Sequence, residues 1–415
     1  MNVTKAKHDL MRKANTLTIL NYIKNNELVT KREIEDGTGL SWGTVSIITG
    51  ELKEQGIITE CSSSQTSLGR TPRELDFNSK TNLMIGIDIN SRGITAVIID
   101  LKCRVLNSIF KGIIQNDRAS ILQQAISMTH QLIQYLDGAP HIIGIGVAMQ
   151  GAVDTTRGIS LFSPYFADWE NIPLKEILEV EFGVPVFVEH DPNCMILAEN
   201  WLGNVRQTDY MVLIRLSMGI GMSLMINQTV YKGADGTAGE FGHIAMNLNG
   251  PQCSCGNFGC LEAYSSGRSI LAKAREGIKL GLSRKIELTE EDNNVNLSRV
   301  AQAARNGDVY LRGIFDSAAV YLGIGIANLI DLLNPGLVVL GGELAAYDDL
   351  LVQKAKEVAS SRAWKHSRVQ IMASKLGNDA AAIGAASIFV QKILLGDLEY
   401  IFVNSPSHCG PPSDR

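Results

Sequence analysis

From Leu83 onward the chain runs through the same order of apolar strands and amphipathic helices twice, and this repetition limits the possible folds more than any other feature. LMIGIDI, ITAVIIDL and VLNSIFKGII are three successive strand-like runs. A helix over Ala119–Leu136 follows, and then the apolar strand HIIGIGVAM. A helix near Leu174–Phe182, the strand VPVFVEH and a helix over Pro192–Trp201 complete the first pass. The strand pattern restarts at YMVLIRLS and IGMSLMI. A long helix, about Val309–Leu333, then meets LVVLGG, and RVQIMA and a last helix, Ala380–Leu395, follow. Strand–strand–strand–helix used twice predicts two similar α/β lobes with a cleft between them.

The first 60 residues have a different texture and predict short helices. Leu17, Ile19, Leu20 and Ile23 recur at helical spacing. Thr30-Lys-Arg-Glu33 has the form of a capping box, so a second helix is expected over Lys31–Glu35, broken by Gly37 and Gly39. Ser41 is placed to cap a third helix that reaches about Gln55 and ends at Gly56. Residues 57–77 predict a two-stranded excursion, IITE and RELDF, around a Ser/Gly-rich tip. The expected domains are therefore 1–80, 81–190 completed by a C-terminal helix at about 380–396, and 191–379, with 397–415 (ending NSPSHCGPPSDR) as a disordered tail.

Charge and cysteine usage narrow the function. Net charge is −5, so composition does not make the whole chain a polyanion binder. The amino terminus has basic residues but no apolar signal core, and no apolar stretch of ~18 residues stands out, so the expectation is a cytoplasmic chain with no membrane span. Seven cysteines without a secretion signal argue against a disulfide framework. Four of them are scattered, but Cys253, Cys255 and Cys260 lie with His243 inside GHIAMNLNGPQCSCGNFGC. Three thiolates and an imidazole form the tetrahedral set that zinc prefers, and four protein ligands leave no open position, so a structural rather than catalytic zinc is expected. The alternative is three buried thiols near a core histidine.

Around this cluster the sequence resembles the ROK family of sugar kinases and repressors. Gly233-Ala-Asp-Gly-Thr-Ala-Gly-Glu-Phe-Gly-His243 followed by CSCGNFGCLE matches the family's glycine-rich, zinc-binding signature. GVAMQGAVD (146–154), SPYFADWENIPL (163–174), VEHDPN (188–193) and LLNPGLVVLGGEL (332–344) extend the match across roughly 83–395. The resemblance implies an α/β fold: a two-lobed actin/hexokinase-like (ribonuclease H-like) domain behind an N-terminal winged helix-turn-helix. It also implies sugar contacts from Asp191, where the kinases keep their catalytic base, from Glu240 and Glu262, and from His243, which would bind zinc with one nitrogen and face the sugar with the other. Carboxylates suit paired sugar hydroxyls. Glu240 could instead only orient His243, and Asp191 could only cap the helix after it. His190 stands where the kinases have asparagine, and Tyr165 where they have another, so the ligand geometry is expected to differ.

The nucleotide half departs from the kinases. Asp88-Ile-Asn-Ser-Arg-Gly93 keeps the aspartate but not the two glycines and the threonine of Asp-x-Gly-Gly-Thr-Lys. Ser217-Met-Gly-Ile-Gly221 replaces Gly-Thr-Gly-Ile-Gly, and a thioether cannot donate to phosphate. Ser223 stands in place of a small Gly or Ala, and Gly341-Gly342 is retained. With both phosphate loops altered together, Asp191 is read as a vestigial base and the domain as a binding module without enzymatic activity.

The head resembles the winged helix-turn-helix of the family's repressor branch, which includes the xylose and N-acetylglucosamine repressors. Ser41, Thr44 and Ser46 of the expected recognition helix suit contact with phosphates or base edges. Trp42 either stacks at the DNA surface or packs on the first helix. Arg70 and Arg73 of the Gly69-Arg-Thr-Pro-Arg73 wing suit a narrow minor groove. Residues 1–80 carry 11 Lys and Arg against 10 Asp and Glu, so the local clusters at Lys5, Lys7, Arg12, Lys13, Lys31 and Arg32 matter more than the sum. The expected protein is a sugar-responsive repressor of carbohydrate-utilisation genes such as those of xylose metabolism. Its expected partners are double-stranded operator DNA, a sugar or phosphosugar, and further copies in a homodimer or homotetramer. The alternatives are an ATP-dependent sugar kinase with an added DNA-binding head, and a repressor controlled by a protein partner.

Overall fold

The computed structural model describes residues 3–61, 73–136, 141–203, 208–283, 285–286 and 295–396. Within these, the residues up to His190 and from Ala381 form one compact unit, and Asp191–Ala380 form the other.

The first unit begins with three helices. α1 (Val3–Asn25) is 23 residues long, against the short helices expected. It buries Ile19, Leu20 and Ile23 completely. Strand β1 (Val29–Thr30) leads into α2 (Lys31–Thr38), whose capping box forms as expected: Glu33 N donates to Thr30 Oγ1 at 3.2 Å and Thr30 N donates to Glu33 Oε2 at 2.7 Å. α2 does not stop near Glu35. It runs through Gly37, where a Cβ would come within 2.1 Å of Tyr22 Cε2, so this glycine serves the packing of α2 on Tyr22 of α1, and Gly39 at φ 70° is the terminator. α3 (Trp42–Glu54) is capped by Ser41 and points Val45, Ile48 and Leu52 inward, as their spacing predicts. β2 (Ile58–Cys61) and β3 (Glu74–Phe77) pair antiparallel, and the sheet order is β1-β3-β2.

The rest of this unit is a five-stranded sheet. It contains β4 (Leu83–Asn90), β5 (Gly93–Ile99), β6 (Val105–Gly112), then α4 (Arg118–Gln134) and β7 (Ile142–Met149). A small antiparallel sheet that the sequence reading did not foresee follows: β8 (Ala152–Asp154), β9 (Ile159–Phe162) and β10 (Glu170–Ile172). It buries Trp169, whose Nε1 donates to Ser160 Oγ at 2.8 Å. α5 (Leu174–Phe182) and β11 (Val186–His190) complete the unit up to its last helix. The order is β11-β7-β4-β5-β6, with β4, β5 and β6 antiparallel and β7 and β11 parallel to β4.

The second unit contains α6 (Asp191–Leu202), β12 (Tyr210–Leu216), β13 (Ile220–Ile226), β14 (Thr229–Tyr231), α7 (Glu262–Ser265), α8 (Gly267–Lys279), α9 (Leu297–Arg305), α10 (Val309–Leu333), β15 (Leu337–Gly341), α11 (Gln353–Arg362) and β16 (Gln370–Ala373). Its sheet order, β16-β15-β12-β13-β14, repeats the first sheet's connectivity strand for strand. That is the duplication the sequence pattern predicts. α10 corrects the expectation of no long apolar stretch: an 18-residue window within it has a mean hydropathy of 1.5. It passes the length and composition test for a membrane span, but 61% of that window is buried, and Leu311, Phe315, Leu322 and Ile326 form the centre of this unit's core.

α12 (Ala380–Leu395) returns the chain to the first sheet. A Cβ on Gly86 of β4 would come within 1.8 Å of Ala382 O, and one on Gly146 of β7 within 1.9 Å of Ala385 O. The glycines of GIGIGV and LMIGIDI are therefore where the helix backbone meets the strands.

Candidate functional site

Cys253, Cys255, Cys260 and His243 come together as expected, each offering a ligand atom within 4.8 Å of the others. His243 ends a short 3-10 turn, Phe241–His243, and its Nδ1 lies 3.6 Å from Cys253 Sγ. Cys255 Sγ and Cys260 Sγ are 3.7 Å apart. The loop is tied by Cys253 N donating to Asn257 O at 2.8 Å and Gly259 N to Pro251 O at 2.8 Å. Gly259, at φ 70°, is needed here because a Cβ would lie 1.6 Å from Asn247 O. Burial and hydrogen bonding to the neighbouring thiols push the Cys260 thiol up to about 12, whereas the Asn257 backbone hydrogen bond lowers Cys255. Three thiols this close resist ionising together unless a cation joins them, so the donor set fits zinc.

The opposite edge of the His243 ring faces a carboxylate: Nε2 is 3.8 Å from Glu240 Oε2. Glu240 is exposed. Glu262, at the start of α7, accepts from Ile220 N at 2.9 Å and from Ser254 Oγ at 3.3 Å. It thus joins the thiol loop to the first residue of β13. The segment before Glu240 is held on the same strand, with Met222 N donating to Gly239 O at 3.1 Å. α6 packs there too, where Ser223 Oγ donates to Asn193 Oδ1 at 2.7 Å. The start of β13 is therefore the point at which the expected sugar-facing segments converge.

Asp191 opens α6 and is 1% exposed. Its Oδ2 lies 3.0 Å from Arg215 Nε in β12, and the Arg215 side chain is only 10% exposed. The sequence reading passed over Arg215. The only available signal was an arginine inside the apolar run MVLIRLS, which a strand buried on both faces does not carry without a partner. His190 ends β11 and its backbone N donates to Glu189 Oε1 at 2.9 Å. Tyr165 is half-buried against the first unit's core.

In each altered phosphate loop, two backbone amides donate to acceptors inside the fold. Ser91 N donates to Gln150 Oε1 at 2.9 Å and Arg92 N to Asn90 Oδ1 at 2.9 Å. Asn90 Nδ2 in turn donates to Asp88 Oδ2 at 2.7 Å. In the second loop, Ser217 N donates to Gly219 O at 3.0 Å and Ile220 N to Glu262. Met218 packs against the core, and Gly342 lies on Leu216, where a Cβ would come within 2.5 Å of the Leu216 carbonyl oxygen.

In the head, Trp42 is 51% exposed and does not pack away. Ser41 Oγ caps α3, accepting from Thr44 N at 3.3 Å, and is 3.0 Å from Thr44 Oγ1. Ser46 is half-buried. Arg73 is exposed and pairs with Glu60, which also binds Lys53 at 2.8 Å. These two cations hold the Glu60 carboxyl below its usual range. Arg12 pairs with Glu51 of α3. Arg70, like the side chains of Lys5 and Lys7, lies outside the described residues. The head is bonded to the five-stranded sheet of its own unit. Lys102 Nζ, in the β5–β6 turn, donates to Asn26 O at 2.9 Å and Glu27 O at 2.5 Å and pairs with Asp76 of β3 at 2.6 Å.

The sequence model of the ROK family matches residues 84–392, and that of a winged helix-turn-helix DNA-binding domain matches 12–59. A xylose repressor of Caldicellulosiruptor bescii is 28% identical over 391 residues, 93% of this chain and 98% of that one. A glucokinase of Thermotoga maritima is 30% identical over 316 residues, 75% of this chain and 98% of that one. In three dimensions, a ROK family transcriptional regulator described as a homolog of the E. coli MLC protein superposes with a TM-score of 0.77 over 95% of this chain and all of that one, at 22% identity.

Proposed function

The chain belongs to the ROK family, and from that premise we propose that it is a sugar-responsive, DNA-binding transcriptional regulator, a repressor of carbohydrate-utilisation genes, and not a kinase. One observation carries the reading: the backbone amides that would cradle phosphate at residues 91, 92 and 220 already donate to Gln150, Asn90 and Glu262. An amide that already has an acceptor within the fold gains little from a second one. The chain also spans nearly the whole of a named xylose repressor, head included, whereas a named glucokinase matches it over 75% of its length. Xylose or a related sugar is accordingly the effector to test first.

In this reading, Glu240, Glu262, His243 and Asp191, with His190 beside it, hold the sugar hydroxyls. The Arg215 guanidinium, 3.0 Å from Asp191 Oδ2, sets a counter-charge beside that carboxylate without a hydrogen bond to that oxygen. Zinc held by His243, Cys253, Cys255 and Cys260 is structural: it fixes the loop that carries His243 toward Glu240 and Ser254 toward Glu262. The head reads operator DNA through α3 with Ser41, Trp42, Thr44 and Ser46, and the wing residues Arg70 and Arg73 contact the adjacent backbone or minor groove. A homodimer or homotetramer would present paired heads to a two-fold operator, and a cytoplasmic location follows from that partner.

The test sets two assays side by side on the full-length chain. The account expects sugar-dependent binding to its own upstream DNA and no sugar-dependent release of ADP from ATP. ADP release at enzymatic rates with any sugar would overturn it.

A further inference from the structure

α3 carries a face that its own fold does not explain. Over residues 42–50 it holds no Arg, Lys, Asn, Gln, Asp or Glu. The side chains that give two-point hydrogen bonds to guanine or adenine are therefore absent from its first two and a half turns. In their place Ile47 stands 62% exposed, one turn beyond the exposed Trp42 and Gly43. An isolated exposed aliphatic residue needs no explanation, but this one is flanked along the same face by Gly43 and Gly50. Glycine inside a helix is disfavoured relative to alanine. Neither glycine has a left-handed φ, and a Cβ added at either would meet nothing within 4 Å. The glycines at 37, 86 and 146 each face a neighbour that a Cβ would strike, whereas Gly313 of α10, like Gly43 and Gly50, meets nothing. The bare positions on α3 therefore leave room for something outside the folded chain.

We propose that Ile47 is a base-reading residue: it contacts the C5 methyl of a thymine in the major groove, and Gly43 and Gly50 let α3 approach closely enough to do so. This rests on the DNA-binding reading above. Thymine is the one base that offers an apolar group in that groove, so an apolar reading face selects T·A pairs. Ser46, half-buried beside Ile47, supplies at most a single hydroxyl contact.

The test begins with selection of binding sites from a random duplex pool by the full-length protein. Each thymine of the selected half-site is then replaced in turn by deoxyuridine, which removes only the methyl group. At one or two positions per half-site the wild type should lose about fourfold in affinity, the worth of one methyl withdrawn from water. Ile47→Ala should bind the thymine duplex more weakly and be indifferent to the same replacement. Gly50→Ala should leave the head at least as stable to heat and yet weaken binding. If no thymine position is methyl-sensitive, or if Ile47→Ala is as sensitive as the wild type, the assignment of Ile47 is wrong while the DNA-binding reading stands. If no site is enriched at all, the DNA-binding reading fails and the proposal falls with it.

Discussion

Replacing Arg215 by methionine tests the reading of Asp191 as a neutralised anchor. The pair lies 3.0 Å apart with side chains 10% and 2% exposed. Removing one partner of a buried pair leaves a desolvated charge, a loss of about 3–5 kcal/mol. With a urea slope of ~2 kcal/mol per molar, the midpoint of the second unit should fall by roughly 1.5–2.5 M. Such a loss is a large part of the 5–15 kcal/mol typical of a folded domain, so the variant should be marginal but foldable. Asp191→Asn in the same background removes the carboxylate's charge. The double variant should then recover about 2 kcal/mol or more, because residues in direct contact are not additive. Urea denaturation of wild type, both single variants and the double variant gives the cycle. If Arg215→Met costs less than about 0.5 kcal/mol, or if the two losses simply add, Arg215 is not the counter-charge of Asp191.

Other perturbations have equally definite outcomes. Metal analysis of the purified chain should find one zinc per chain, and Cys255→Ser should lose it and lower the melting temperature. A full-length, folded chain without zinc would remove the metal from the account. Burial raises the Glu199 carboxyl above its ordinary 4.5, with a hydrogen bond from Ser374 opposing. Its contribution to stability is therefore full at low pH and is lost as pH rises through the raised value. Glu199→Gln keeps an acceptor for Ser374, so its advantage over wild type should grow from acid toward pH 8 in thermal scans; an advantage that shrinks would reverse the sign. Lys102→Met removes the larger part of the bonding from the β5–β6 turn to the head, leaving the Arg104–Asp76 pair at 3.4 Å, and the effect of sugar on DNA affinity should shrink while sugar binding persists in calorimetry. An unchanged effect would place the coupling elsewhere.

The duplicated architecture could be read from sequence because each strand is an apolar run and each pass repeats the same order. The capping box at Thr30–Glu33 and the Ser41 cap could also be read, since both depend on side chains within one turn. Gly37 was misread because its role depends on Tyr22, a residue of another helix, and no local rule distinguishes a glycine that breaks a helix from one that admits a neighbour. The small β8–β10 sheet was missed because its strands are three or four residues long and half-exposed. The Cys and His donors were visible as a spacing. Arg215 and Lys102 were not, because each takes its meaning from partners 24 or more positions away. The filled amides at Ser91 and Ile220 likewise need Gln150 and Glu262, which approach only in the folded chain.

The most direct test of the central claim is the affinity of the full-length protein for a duplex from its own promoter. It would be measured by fluorescence anisotropy at ~150 mM salt, where non-specific contacts are weakened, with and without xylose and a panel of other sugars and phosphosugars. The account predicts specific binding that one sugar weakens about tenfold or more, a coupling of about 1.4 kcal/mol between the two sites. Binding no tighter than to a scrambled duplex would contradict it, and so would specific binding that no sugar changes.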